Sequence, residues 1–348
     1  MTSRITAATP RATGFSLIEL MISITIGLLL IAGMATLLSN SSAHRAELEK
    51  SGRQIENGRY AMQILSEDLR HAGYYGEFYD FDALIPAIPV PATLPDACST
   101  TVADLSAALR LSVQGYDAPS SLPTALSTCI GDANHADGTD VLVVRRTSTV
   151  VNSSSLVAGR VYLQTRNDNI VMADGSAVAA TWNLTKKDLV TQADIRQYVV
   201  HIYFVSPCSV PASGTSCTGA SDDGGKPIPT LKRLELTNTG TSRSYVVTPM
   251  VEGIENLQID YGTDSMDTGS PNNFVTSPAD TTAWSNVVST RLQLVARNTD
   301  ATTGFTDTKT YNMGLAGTYT PASAVQQYKR HAYAQLVRLE NPSARREQ

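Results

Sequence analysis

The chain is organised around the stretch Gly14–Leu20 (GFSLIEL) and the apolar run that follows it to Leu38. Between Phe15 and Leu38, Glu19 is the only charged residue. These residues, about 24 of them, would span roughly 36 Å as a helix at ~1.5 Å per residue. Because the hydrocarbon core of a bilayer is ~30 Å thick, the run predicts a helix that crosses a membrane.

Two ordinary interpretations of this run leave part of it unexplained. A secretory signal peptide has an apolar core of ~7 to 15 residues and then a small-residue cleavage site. This run is longer, and residues 38–43 (LSNSSA) form a poor cleavage site. A plain anchor does not account for Glu19, because an ionisable group at the centre of a span costs ~2.5 to 3.5 kcal/mol. Near the end of the span, Glu19 could instead reach the interface.

The charges that flank the run predict its orientation. Arg4 and Arg11 precede it without an acidic residue, whereas residues 43–50 mix basic and acidic side chains. Positive charge favours the cytoplasmic side. We therefore expect a cytoplasmic amino end and an exported remainder.

The combination of a basic leader, a glycine, an aromatic residue and a glutamate before the span resembles the class III signal of type IV prepilins and type II secretion pseudopilins. The resemblance implies that a prepilin peptidase cuts after Gly14 and N-methylates Phe15, and that the helix is retained. It also implies that the Glu19 carboxylate meets the cleaved amine of a neighbouring subunit. Opposite charges ~4 Å apart attract by ~4 kcal/mol at an effective dielectric of ~20, which is comparable to the cost of burial.

The exported part contains all four cysteines, Cys98, Cys129, Cys208 and Cys217, and an oxidising compartment permits disulfides. Three pairings are possible, and we favour the sequential one, Cys98 with Cys129 and Cys208 with Cys217. No cysteine pair has the C-x-x-C spacing of a zinc site, and the histidines are not at metal-ligand spacing. The sequence therefore predicts disulfides and no metal centre.

A helical pattern continues beyond the span. Apolar residues recur every seven positions, with Leu65 between two of them, and predict one apolar stripe that lies on a sheet: Leu48, Ile55, Met62 and Leu69. Gly73 is a suitable residue to end the helix at Ala72. The predicted organisation is a leader (1–14), a transmembrane half-helix (15–38), an amphipathic half-helix (39–72) and a head (73–348).

The head has the period-two pattern of strands. Residues 85–95 contain four prolines and predict an extended connection rather than a central strand. Alternation in residues 288–296 indicates an antiparallel sheet that is exposed to water on one face. The fold class is therefore α+β, one long helix packed on a mainly antiparallel sheet. The predicted strands are residues 140–145, 161–165, 197–205, 231–236, 244–248, 257–261, 288–296 and 332–338.

Composition and motifs exclude several functions. The net charge is −5, and loss of the leader would remove the positive charges of Arg4 and Arg11 and make the protein more acidic. The basic doublets, such as Arg145-Arg146, are scattered and interpreted as solvated strand ends, so no nucleic-acid partner is expected. The acidic loop 132–138 lacks the spacing of a calcium-binding EF-hand loop and is interpreted as a turn. No catalytic constellation and no cofactor motif is recognised.

Three further stretches look like those of PilW-type minor pilins: residues 57–61 with 68–76, residues 251–262, and the end strand followed by Asn341-Pro342. The resemblance implies a minor pilin that acts with other minor pilins and the major pilin to prime type IV pilus assembly. A place at the pilus tip with a large adhesin is compatible with the same resemblance. The family brings no catalytic residues. Two alternatives stay open: a GspJ-like pseudopilin of type II secretion, and a membrane-tethered periplasmic enzyme or binding domain.

Overall fold

The computed structural model of the protein describes residues 14–79, 81, 88–153 and 155–347. Its contacts divide the chain into two compact units, Met1–Lys50 and Ser51–Gln348; we call the second the globular unit. Helix α1 (Leu17–His71) contributes to both units. Residues 1–13 of the expected leader lie outside the described residues, as do residues 85–87 of the proline-rich connection.

The elements of the described residues confirm an α+β fold. Four shorter helices follow α1: α2 (Val102–Ala107), α3 (Thr124–Ser127), α4 (Thr281–Ser285) and α5 (Glu340–Arg346). The strands are β1 (Val113–Tyr116), β2 (Val141–Val151), β3 (Val161–Arg166), β4 (Asn169–Asp174), β5 (Ile195–Ser206), β6 (Thr230–Thr239), β7 (Ser242–Glu252), β8 (Ile254–Thr263), β9 (Asn273–Val275), β10 (Val287–Arg297), β11 (Tyr311–Asn312), β12 (Thr318–Tyr319) and β13 (Arg330–Arg338). All eight predicted strands are confirmed, most of them longer than predicted, whereas β4, which is as long as β3, and the short strands β1, β9, β11 and β12 were not predicted.

The strands form two larger sheets and one small hairpin within the described part of the chain, and every pairing is antiparallel. The large sheet has the order β1-β2-β5-β3-β4, with β6 paired to β5 and β7 paired to β6. The small sheet has the order β13-β10-β8-β9, and β11 pairs with β12.

Asp140 joins the two sheets at the start of β2. Its backbone N–H donates to the carbonyl of Leu257 (2.9 Å), and its carboxyl accepts from the N–H groups of Ile259 (2.7 Å) and Ala118 (2.8 Å). Burial raises the pKa of Asp140 to about 7. A polar side chain therefore fixes the start of β2 against the middle of β8.

The prediction that one face of the sheet is exposed to water is wrong for both sheets. In β2, Leu142 and Val144 belong to one hydrophobic cluster, and Val141 and Val143 belong to the cluster on the opposite face. In β10, the leucines and Ala296 face α1, and Val295 packs on the other face against Tyr311 and Met313. In the small sheet, the segment of the β11–β12 hairpin covers the second face. In the large sheet, Leu105 of α2 and Leu126 of α3 pack on the face of Val141 and Val143.

The predicted apolar stripe of α1 is only partly correct. Met62, Leu65 and Leu69 are buried, but Leu48 is 73% exposed and Ile55 is 43% exposed. A straight helix drifts by ~20° per heptad relative to a strict seven-residue repeat, so a heptad stripe does not stay on one face. One residue before Ile55 in α1, Gln54 is buried instead. Its side-chain amide donates to the carbonyls of Ala296 (2.8 Å) and Lys329 (2.9 Å).

The expectation that the basic doublets are solvated strand ends is wrong for Arg145-Arg146. Arg145 is 1% exposed, and its guanidinium donates to Gln114 Oε1 (2.7 Å) and the carbonyl of Leu111 (3.2 Å). Arg146 forms an ion pair with Asp68 of α1. Both arginines therefore hold elements together, which a count of surface charges does not detect.

Candidate assembly site

The predicted processing site lies at the start of α1. Gly14 and Phe15 precede the helix, and Phe15 is 87% exposed. A side chain added at Gly14 would meet no atom within 4 Å. Packing against the described residues therefore does not restrict the side chain at position 14.

Glu19 takes part in a local contact that the sequence analysis missed. Its Oε2 accepts from the backbone N–H of Ser16 (2.9 Å), and Ser16 Oγ accepts from the N–H of Glu19 (3.2 Å). This reciprocal pair is a capping box, which satisfies two of the unpaired N–H groups at a helix start. The spacing S-x-x-E was the available signal. The helix N-terminus also favours a negative charge, so Glu19 has a local role besides any role between subunits.

The apolar part of α1 is long and apolar enough to cross a membrane. Its most apolar window has a mean hydropathy of 2.3, and none of that window is buried. Its hydroxyl side chains donate back to the helix, as Ser23 Oγ does to the carbonyl of Glu19 (2.7 Å) and Thr36 Oγ1 to that of Gly33 (2.8 Å). Polar groups satisfied within the helix are what a hydrocarbon environment requires.

Residues 57–61, which carried part of the family resemblance, dock α1 on strands of both sheets. Asn57 Nδ2 donates to the carbonyl of Glu252 (3.0 Å), and Ala61 is fully buried. A Cβ added at Gly58 would lie 2.1 Å from the ring of Tyr333. Glycine at this position lets the helix approach β13 closely, which explains the motif by packing.

Asp68 is the centre of a buried polar cluster between α1 and the large sheet. Its carboxylate accepts from Arg146 Nε (2.6 Å), His201 Nδ1 (2.6 Å) and the hydroxyl of Tyr203 (2.9 Å). Burial alone raises the pKa of Asp68, but the hydrogen bond and charge of His201, together with Arg146, hold it well below its ordinary value. The carboxylate therefore stays ionised and fastens the helix to β2 and β5.

The end of α1 is capped by the carboxyl-terminal segment. Gly73 has φ +69°, as the predicted helix end requires. Asn341 Nδ2 donates to the carbonyl of Ala72 (3.1 Å), and Arg345 donates to that of Gly73. The Arg345 guanidinium also lies 5.3 Å from the ring centre of Tyr75. Asn341 of the Asn341-Pro342 motif thus supplies a partner for one carbonyl at the end of the helix, where carbonyls are left unpaired.

The cysteines form two disulfides, Cys98–Cys129 and Cys208–Cys217, which is the sequential pairing. Cys208, Cys217 and Asp222 also bring potential metal ligands within 4.8 Å of one another. Both sulfurs are used in the disulfide, and the Asp222 carboxylate accepts the backbone N–H groups of Thr218 (2.6 Å) and Gly219 (2.8 Å). This cluster is therefore a disulfide-linked turn rather than a set of thiolate ligands.

Comparison with known families gives two matches. The family described as Prokaryotic N-terminal methylation motif matches residues 9–35, which include Gly14, Phe15 and Glu19. The family described as Type IV Pilus-assembly protein W matches residues 217–341, which extend from Cys217, before β6, to Asn341. No curated protein and no solved structure matches the chain. The two matches, which lie at the two ends of the chain, support a type IV pilin of the PilW type.

Proposed function

We propose that the protein is a minor pilin that prepilin peptidase cleaves after Gly14 and N-methylates at Phe15. It sits in the inner membrane by its single span, with the amino end cytoplasmic and the head periplasmic. It then joins other minor pilins and the major pilin in priming type IV pilus assembly. The observation that carries the proposal is a methylation motif on a capped, exposed apolar helix in the same chain as a PilW match.

The PilW match favours a pilus over a type II secretion system, because the methylation motif alone would suit both. It covers the small sheet, which α1 approaches closely at Gly58. The families matched are structural rather than enzymatic, which supports an assembly role over a tethered enzyme. A position at the pilus tip beside a large adhesin belongs to the same proposal.

The proposed cleavage predicts that a bulky residue at Gly14 blocks removal of the leader. Gly14→Leu should leave the helix cap unchanged, since neither Ser16 nor Glu19 is altered. Mass spectrometry of the membrane-bound protein measures the outcome. We expect methylated Phe15 as the amino terminus of the wild type and the intact leader in the variant. A wild-type amino terminus elsewhere than Phe15 would contradict the proposed processing.

The proposed assembly role predicts that Glu19→Ala is cleaved but poorly incorporated into pili. An attraction of ~4 kcal/mol between carboxylate and amine is large enough for a drop in surface pili of about tenfold or more. The capping box provides a matched control, because glutamine caps a helix as glutamate does. Glu19→Gln therefore keeps the cap and removes only the charge.

Surface pili are counted after each variant replaces the chromosomal copy. If the charge pairs with an amine, Glu19→Ala and Glu19→Gln should both lose pili. If Glu19→Gln has normal numbers of pili and Glu19→Ala loses them, Glu19 acts only as a helix cap, and the proposed charge pairing is wrong. A plain anchor predicts unchanged or improved function for both, because a deep carboxylate costs ~2.5 to 3.5 kcal/mol.

A further inference from the structure

The strand β13 forms one edge of the small sheet. Among the described residues it pairs only with β10, through an unbroken register from Ser289 opposite Arg338 to Arg297 opposite Arg330. Its second edge has no strand partner there. Backbone N–H and C=O groups along such an edge are a template for another strand.

Hydrogen bonds at the two ends of β13 show which residues face outward. Leu339 N donates to the carbonyl of Val288 (2.9 Å), and Asn298 N donates to that of Lys329 (3.0 Å). In an antiparallel pair these bonds recur at every second residue. Odd-numbered residues of β13 therefore bond to β10, and Ala332, Ala334 and Leu336 present their backbone groups on the free edge.

This edge lacks the features that protect the long edge of the large sheet. In β7, Pro249 has no N–H, and the pairing with β6 is interrupted by a bulge next to it. Proline, bulges, short strands and charged side chains are the usual protection of an edge. Residues 332–336 of β13 (AYAQL) have no proline, bulge or charge, and Leu336 is 61% exposed.

A groove of about 420 Å³ lies beside this edge, between β13 and the globular-unit part of α1. Arg59 is the only charged residue of its lining, and no hydrogen bond or ion pair joins it to the described residues. The remaining lining residues are uncharged: Met62, Gln63, Ser66, Tyr333, Ala334 and Gln335. The groove thus joins a strand edge to one cation, and neither has a partner among the described residues.

We propose that β13 binds an extended segment of a partner protein, which adds a strand to the small sheet and places an acidic side chain beside Arg59. Main-chain hydrogen bonds provide the affinity in strand addition, and side-chain pockets provide the specificity. A second copy of this chain fits less well, because antiparallel pairing of two β13 edges brings two Arg59 side chains to one groove without an acid. The inference does not depend on cleavage or on pilus assembly.

The test uses the full chain in detergent and a short synthetic peptide of alternating Thr and Val with one central Glu. We expect saturable binding, with slower amide exchange at Ala334 and Leu336. N-methylation of the peptide along one edge removes main-chain donors without changing side chains, and should weaken binding by about tenfold or more. Replacing the peptide Glu with Lys should weaken it as well, and Arg59→Glu should reverse that preference.

Two proline variants of the protein compare the free edge of β13 with the edge of β7. Ala334→Pro removes an outward N–H, and proline is tolerated at such edge positions. Val247→Pro does the same on the edge of β7. Only Ala334→Pro should reduce binding. Equal binding of the N-methylated peptide, equal effects of the two prolines, or no saturable binding would overturn the proposal. Self-association of the chain that Ala334→Pro abolishes would assign the edge to a second copy and overturn it too.

Discussion

Arg330→Met is expected to lower the free energy of unfolding of the globular unit by about 3 to 5 kcal/mol, the range for removing one partner of a buried ion pair. The Arg330 side chain is fully buried. It donates to both oxygens of Glu255, to Asp307 Oδ2 (3.3 Å) and to the carbonyls of Val325 (2.7 Å) and Tyr328 (2.9 Å). Methionine fills similar space and satisfies none of these acceptors.

The loss should be large because the acceptors are themselves buried. The side chain of Asp307 is 1% exposed and that of Glu255 is 9% exposed. Glu255 would keep Arg297 as a partner (3.2 Å), and Asp307 would keep the hydroxyl of Tyr311 (2.7 Å). Each carboxylate therefore loses the Arg330 donor but keeps another, and the fold should survive at reduced stability.

Arg338→Met is the matched control, since it makes the same change on the same strand. Arg338 is half exposed and pairs with Glu347 at the surface. Exposed ion pairs contribute ~0 to 1 kcal/mol, so this variant should stay within that range. Denaturant unfolding of the full chain in detergent measures both, because both tryptophans, Trp182 and Trp284, lie in the globular unit. Equal losses in the two variants would contradict the assigned role of Arg330.

Asp68→Asn is expected to cost about 3 kcal/mol at neutral pH, because it leaves the buried His201 and the half-buried Arg146 without their carboxylate. The adjacent Glu67→Gln is the control. Glu67 is exposed on the same helix, so its change should stay within ~0.5 kcal/mol. The same denaturant unfolding measures both.

The difference in unfolding free energy between the wild type and Asp68→Asn should depend on pH in one direction. The pKa of Asp68 is lower in the folded chain than its unfolded value of ~3.9. The stability that the carboxylate contributes is therefore fully present above about pH 4 and is lost as the pH falls through the folded pKa. The gap between wild type and Asp68→Asn should shrink below pH ~4. A gap that grows on acidification would show that the carboxylate is not what holds the cluster together.

Prediction from sequence succeeded where the signal is local. The eight predicted strands show their period over five or more consecutive residues, and the end of α1 is marked by Gly73. The short strands β1, β9, β11 and β12 have two to four residues each. Such segments carry too little pattern to be recognised, and they form because longer neighbours pair with them. The capping box at Ser16 and Glu19 was visible and was missed.

By itself, the sequence determined the apolar span with its glycine and glutamate, eight of the strands and the α+β class, because each depends on residues close together in the chain. Only the tertiary structure decided which polar residues are buried and with which partners. Asp68 meets His201 across 133 positions, and Arg330 meets Glu255 across 75. It also decided that both faces of each sheet carry buried residues and that one edge of β13 has no strand partner among the described residues, since strand order depends on long-range pairing that no local pattern records.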